Sequence, residues 1–178
     1  MTDSYRFQMR VPEGDDRPRA VCDDCGFVAY VNPKIVVGAV CTFEGRILMC
    51  RRDIEPRKGF WTIPAGFLEE GESAEQGAIR EAAEEALASI RISSLLGVYS
   101  IAHISQIYLV YRAELESPEF GAGDETQEAK LVHPDDIPWD ELAFESVTWS
   151  LERFLESAAD ATSPTFSYPP LPTSGGAR

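Results

Sequence analysis

Positive charge is scarce in this chain. Sixteen Lys and Arg face thirty Asp and Glu over 178 residues, for a formal net charge of −14. That balance repels phosphate backbones and anionic bilayers, so neither nucleic acid nor a membrane is an expected partner. A phosphorylated ligand would need bound cations or a local basic cluster. Long apolar runs are also missing, and none approaches the length of a membrane span. The opening stretch MTDSYRFQMRVPEGDD lacks the apolar core of a signal peptide, which makes a cytoplasmic location the expectation. Cysteine is limited to Cys22, Cys25, Cys41 and Cys50. Cys22-Asp-Asp-Cys25-Gly26 is shaped like half a zinc knuckle, yet a structural zinc site wants four N or S ligands and there is no second CxxC. Asp3, His103 or His133 could complete such a site in principle. Hydrogen bonding at strand ends is the plainer role for the two histidines, and zinc is not expected.

Local patterns divide the rest. Residues 1–19 are polar and rich in Pro, Gly and charge, and read as loose, while Val21 to Tyr30 can form a small hairpin around the Cys pair. Ile35 to Phe43 is a β-branched apolar run, followed by Glu44-Gly45 and then Arg46 to Arg51, which predicts a two-residue hairpin. In that register Cys41 faces Leu48 and Cys50 faces Ala39, so the two are buried thiols rather than disulfide partners. Trp61 to Pro64 is a short extended piece. Ile90 to Ile101 reads as a strand broken at Gly97, His103 to Leu115 as an alternating strand, and Ala129 to His133 as a short one. Apolar residues at 144, 147, 151, 154, 155 and 158 predict an amphipathic helix over Leu142 to Ser157. The Pro, Ser, Thr and Gly of 160–178 suggest disorder. The domain reading is therefore an extension over 1–33, a main domain over 34–158 and a tail over 159–178.

The most informative stretch is GFLEEGESAEQGAIREAAEEALA, Gly66 to Ala88. Ser73 with Gln76 three residues later is a capping-box signal, which starts a helix near Ala74. Glu81, Glu84 and Glu85 then share one arc of roughly 100°, together with Ala74, Gly77 and Ala78. Ile79, Ala82, Ala83 and Ala86 form the opposite, apolar side expected to face the core. Three clustered carboxylates repel one another, and mid-helix Gly77 costs about 1 kcal/mol relative to Ala. Both make sense if a divalent cation sits over the acids and something bulky approaches the helix. The plain alternative is a solvated acidic face.

This stretch resembles the signature of the Nudix hydrolases, Gx5Ex7REUxEExGU with U apolar. Gly66, Glu72, Arg80, Glu81, Ala82, Glu84, Glu85 and Ala88 match it, and Leu87 stands where the family has Gly. The segments upstream (PEGDDRPRAVCDDCGFVAYVNPKIVVGAV, GRILMCRR, GFWTIPAGFLEEGES) resemble the branch of that family with a small zinc ribbon before the catalytic domain, among them FAD and ADP-ribose diphosphatases of plant chloroplasts and their bacterial counterparts. The likeness covers about residues 11–155. The first CxxC of those relatives has no counterpart here, so the ribbon is read as degenerate.

The resemblance implies an α/β (α+β) Nudix fold, a mixed sheet sandwiched between helices with a small N-terminal β extension. It implies hydrolysis, dependent on Mg²⁺ or Mn²⁺, of a nucleoside diphosphate linked to another moiety (FAD, ADP-ribose or NADH type) with release of AMP. Two alternatives stay open: pyrophosphohydrolysis of oxidised nucleoside triphosphates, and a catalytically weak effector-binding module. Divalent ions neutralise phosphoryl charge and activate water, and Glu81, Glu84, Glu85 and the backbone carbonyl of Ala65 are the candidate ligands. Arg80 would orient these acids, its fork suiting a bidentate task. Glu72 would hold a second ion or simply pair with Arg80. Glu125 and Glu128, in the acidic loop 116–128, are candidate bases, with Glu119 behind them; a solvated loop is the alternative. Arg51, Arg52, Arg57 and Lys58 form the dense basic cluster expected to face phosphate. Phe60, Tyr30 or Trp61 could stack a ring, although packing suits Trp61 better. A nucleotide is the expected partner, and a homodimer is the assembly the resemblance suggests.

A helix at 87 follows from the same logic. Leu is a good helix former and pays for a left-handed conformation, so the catalytic helix is expected to run through Leu87 to about Ser89, with Leu87 at right-handed φ.

Overall fold

The structure is a computed structural model that describes residues 6–157 and the backbone of 166–168. It contains two compact units, one up to Pro33 and one from Lys34 onward. The first is an antiparallel sheet of β1 (Phe7–Arg10), β2 (Arg19–Cys22) and β3 (Val28–Ala29), in that order. Its β2–β3 hairpin closes around the cysteines, with the Gly26 N–H donating to Cys22 O and the Cys22 N–H to Phe27 O. Residues 7–10 and 19, read as loose, are strands: the Pro- and Gly-rich stretch 11–18 is the connection between two paired segments. Residues 1–5 lie outside the described residues.

The second unit is built on β4 (Lys34–Phe43), β5 (Arg46–Arg52), β6 (Trp61–Thr62), β7 (Ala65–Phe67), β8 (Ile90–Ile101), β9 (Gln106–Leu115), β10 (Thr126–Val132) and β11 (Phe166–Tyr168). The sheet order is β10-β5-β4-β9-β8-β11, with β6 on β5 and β7 on β4. β4 runs parallel to β9 and antiparallel to β5, so the sheet is mixed. Two helices, α1 (Ala74–Ala86) and α2 (Glu145–Glu156), cover its faces. The apolar run of β4 is continuous because both faces are covered. Val37, Ala39 and Cys41 join Leu48, Cys50, Ala78, Ala82 and Ala86 in one core. Val40 joins Ile47, Met49, Val147 and Leu151 in the other. Thr42 pairs with Ile47 and Phe43 with Arg46, the register expected of the Glu44-Gly45 turn. Cys41 and Cys50 are free and fully buried, and burial pushes the Cys41 thiol up to about 12. Among the described residues no helix is long and apolar enough to cross a membrane.

Several expectations are corrected. β8 is not broken at Gly97 but continuous, with its pairing to β9 shifting register between Leu95 and Gly97. β9 starts at Gln106; His103 lies in a 3-10 turn that ends at Ser105, whose φ is 53°. β10 starts at Thr126 because it pairs along β5 with an irregularity after Thr126, which moves Glu128 from the loop onto a strand. α2 begins at Glu145, since Leu142 bridges to Trp61 and the Ala143 N–H donates to Trp61 O, which holds that stretch extended. Phe166–Tyr168, expected to be disordered, pairs in parallel with Gly97–Tyr99 of β8; the rest of 160–178 lies outside the described residues.

Helix α1 brings two further corrections. Its buried residues are Gly77, Ala78, Glu81, Ala82, Glu85 and Ala86, whereas Ile79 and Ala83 are exposed. The core face is thus rotated toward the acids, and two of the three carboxylates are covered. The helix also stops at Ala86, and Leu87 adopts φ 49°, ψ 29°, left-handed. The Ala88 N–H donates back to Ala82 O at 3.2 Å, a local cap, and a tertiary contact completes the stop. The N–H groups of Gly121 and Gly123 donate to the carbonyls of Ala86 and Glu85 (2.8 and 3.0 Å), the groups that a continued helix would bond to its own next turn. Leu87 bears roughly 1–2 kcal/mol for that conformation.

Candidate active site

The site begins at the start of α1. Ser73 Oγ accepts from the Gln76 N–H and Gln76 Oε1 accepts from the Ser73 N–H, the predicted capping box. The helix so fixed carries Arg80, which binds four acceptor groups at once. Its Nε and NH2 donate to the two oxygens of Glu72 (3.1 and 2.8 Å), NH1 donates to Glu81 Oε1 (2.7 Å) and Glu84 Oε2 (2.9 Å), and NH2 also reaches Phe67 O (2.9 Å). These bonds hold the Arg80 guanidinium well above its usual range and pull Glu72 below the ordinary carboxylate range. Glu72 also accepts from the Glu69 N–H, so it is the anchor of Arg80 and does not line the cavity described below.

Glu81 and Glu85 are 8% and 7% exposed, while Glu84 faces solvent. Burial raises the carboxyl of Glu81, although Arg80 opposes it. Burial pushes Glu85 up to about 7 against the Ala65 N–H, which donates to its Oε2 at 3.0 Å. The signature glycine serves this packing. A Cβ on Gly66 would lie 2.3 Å from Glu81 Oε1, so a side chain here would push the Glu81 carboxylate from its place on Arg80. Gly77 is likewise pressed by Val37 and Glu72, which are the bulk its position demanded.

These acids open into a cavity of about 990 Å³. Glu81, Glu84, Glu85 and Glu125 line it with Arg80, Arg52, Ala65 and Glu69. Glu125 is brought in by its own loop, where its carbonyl accepts the Asp53 N–H at 2.8 Å and the Thr126 N–H donates to Gly123 O. Of the basic cluster only Arg52 lines the cavity, its Nε donating to Pro56 O and its guanidinium 5.2 Å from the Phe144 ring. Arg51 turns to Gly59 O, Arg57 stacks on Phe60, and Lys58 pairs with Asp53 at 3.0 Å. Arg51, Arg57, Lys58 and Phe60, with Glu128 and Glu119, are not part of the lining. Trp61 packs in the core, and Tyr30 sits under Arg19 in the first unit. Sequence reasoning missed Tyr108, Gln106, Ile104 and Phe144, all of which line the cavity. Strand alternation hinted at Gln106 and Tyr108; Phe144, ahead of a helix far along the chain, carried no local signal.

The donors suit a hard divalent cation in kind: Glu81, Glu84, Glu85 and Glu125 are among the carboxylates on one cavity, with Glu85 buried and outside any ion pair among the described residues. Arg80 occupies one oxygen each of Glu81 and Glu84, and among the described residues no three acidic, Cys or His side chains converge as a coordination shell. The free oxygen of each carboxylate is what such an ion would use.

The same architecture recurs among known proteins. The NUDIX domain family model matches residues 32–152, and the Nudix N-terminal zinc-ribbon model matches residues 5–31. The chain is similar to an ADP-ribose pyrophosphatase of Methanocaldococcus jannaschii, 33% identical over 122 residues that cover 65% of this chain and 70% of that protein. It is also similar to the NAD-capped RNA hydrolase NudC of Photobacterium profundum, 32% identical over 59% of this chain and only 39% of that longer protein. The crystal structure of a NUDIX hydrolase from Nitrosomonas europaea superposes with a TM-score of 0.85 at 38% identity, covering 94% of this chain and 98% of that one. With its signature loop, its acid-bearing helix and its mixed sheet all in place, the chain belongs to the Nudix hydrolase family.

Proposed function

We propose that the chain hydrolyses a nucleoside diphosphate linked to another moiety, of the ADP-ribose, FAD or NADH type, with Mg²⁺ or Mn²⁺, and releases AMP. The observation that carries this reading is the convergence of Glu81, Glu84, Glu85 and Glu125 with Arg52 on one large cavity. The name of the Methanocaldococcus relative, an ADP-ribose pyrophosphatase, points the same way. A divalent ion bound there, by Glu81, Glu84, Glu85 and the Ala65 carbonyl, would neutralise phosphoryl charge and make water more acidic.

The chain's own residues do the rest. Arg80 spans Glu72, Glu81 and Glu84 and fixes their rotamers before substrate arrives, which avoids reorganisation at the moment of reaction. Arg52, which also lines the cavity, supplies a guanidinium to a phosphate oxygen. Glu125 accepts a proton from the attacking water. The water oxygen forms the new bond to phosphorus, the bridging P–O bond breaks, and the products are two phosphomonoesters. Arg51, Arg57, Lys58, Phe60 and Glu128 stand outside the cavity and take no part in this scheme.

Purified protein is assayed with ADP-ribose, FAD and NADH, with and without Mg²⁺ or Mn²⁺, and the products are separated. AMP plus a second monophosphate, formed only with the ion, is expected. Pyrophosphate release from oxidised nucleoside triphosphates, with the diphosphate-linked compounds untouched, would favour the sanitising activity. Binding without turnover of any of them would favour the effector module.

A further inference from the structure

The left-handed leucine at the end of α1 has no stability rationale of its own. A helix stop at positive φ needs no side chain, and Gly or Asn meets it with less strain. The Leu87 side chain is 60% exposed, so burial does not offset the strain. What it does is line the cavity, three residues beyond Glu84. Phe67 and Ile104, 45% and 49% exposed, line the same cavity, and together the three are large apolar side chains left open to solvent beside an acidic centre. Strain kept at a lining position, with no compensating burial, is the pattern of a residue held for its ligand. The occupant follows from size and polarity. A volume of about 990 Å³ lies at the upper end for small-ligand sites, roughly 300–1,000 Å³. A diphosphate at the carboxylates leaves most of that space, and the large apolar side chains among the lining favour a flat ring over another sugar.

We infer that Leu87 is a specificity-determining residue, which with Phe67 and Ile104 favours diphosphates carrying a flat, ring-bearing second moiety over those ending in a bare ribose. This rests on the reading of the site as a diphosphatase. Leu87→Asn tests it, because Asn tolerates the left-handed backbone while removing the apolar contact. The ratio of kcat/KM for FAD to that for ADP-ribose is expected to fall about fivefold or more, the worth of a few tens of Å² of apolar contact. FAD binding without added divalent ion, followed by flavin fluorescence, weakens by a similar factor, and the melting temperature does not fall. Ile104→Asn moves the ratio in the same direction. If the wild type turns over both substrates and neither variant shifts ratio or binding, the assignment of Leu87 is overturned while the diphosphatase reading stands. If the wild type turns over neither substrate, the diphosphatase reading falls, and unchanged FAD binding in the variants then overturns the inference as well.

Discussion

The two ends of helix α1 are finished in opposite ways. At the N-terminus Ser73 and Gln76 satisfy each other's backbone N–H groups within four residues of sequence. At the C-terminus the carbonyls of Glu85 and Ala86 are satisfied by Gly123 and Gly121, more than thirty positions away. The first is a local device that secures the helix. The second ties the helix to the loop that delivers Glu125 into the cavity, so the same hydrogen bonds that end α1 also set the distance between two walls of the site. An error at the first end should therefore affect stability alone, and an error at the second should affect chemistry.

The largest test of that contrast lies with the acids on the last turns. Glu84→Gln and Glu85→Gln are each expected to lower turnover at saturating Mg²⁺ about a hundredfold or more. Their thermal melts should stay within a few degrees of wild type, because Gln keeps the volume and the carbonyl oxygen that accepts from Arg80 at position 84 and from the Ala65 N–H at position 85. Near-normal rates in both variants would remove these acids from the chemistry.

Gly123→Ala comes next. A Cβ there would lie 1.7 Å from the Glu84 carbonyl oxygen, so the loop must move off the helix end. A stability loss of about 2 kcal/mol and a fall in kcat of about tenfold are expected, read by a melt and by steady-state kinetics. Gly121→Ala is the control, since its Cβ meets only Leu87 Cδ1 at 3.5 Å. Equal effects from the two substitutions would break the claim that close approach at Gly123 sets the geometry.

At the other end, Ser73→Ala removes the cap and should cost about 1 kcal/mol, a melt lower by about 2–4 °C for a chain of this size. Turnover at saturating substrate should be unchanged. A drop in kcat beyond twofold would show that the N-terminal end is coupled to the site after all.

The smallest expected change is a gain. Leu87→Gly relieves the left-handed strain and should stabilise the protein by about 1 kcal/mol, seen as a small rise in melting temperature. An unchanged melt would mean that the left-handed conformation at Leu87 carries no net strain.

The legible parts of this molecule were those fixed by neighbours in sequence. Ser73 to Gln76 marked the helix start, Glu44-Gly45 marked a hairpin with its register, and the β-branched apolar run of β4 marked a strand. The spacing of Glu81, Glu84 and Glu85 placed them on one arc of one helix, and the structure brings all three to one cavity. The basic cluster misled because adjacent strand residues point to opposite faces, so Arg52 enters the cavity while Arg51 turns to Gly59. The burial of Glu81 and Glu85 was also hidden: a carboxylate in an exposed-looking arc is covered when the loop at Gly66 lies against it.

By itself, then, the sequence determined what short-range physics controls: strand alternation, the capping box, the turn residues and the helical arc of acids. The tertiary structure decided the rest. Gly121 and Gly123 ended α1 at Ala86 against the helix preference of leucine, because the carbonyls of Ala86 and Glu85 take their donors from a distant loop in place of a next turn. Phe144 and Tyr108 joined the cavity because β5, β9 and the entry to α2 meet there, a meeting set by the packing of two helices on one mixed sheet and written in no single stretch of chain.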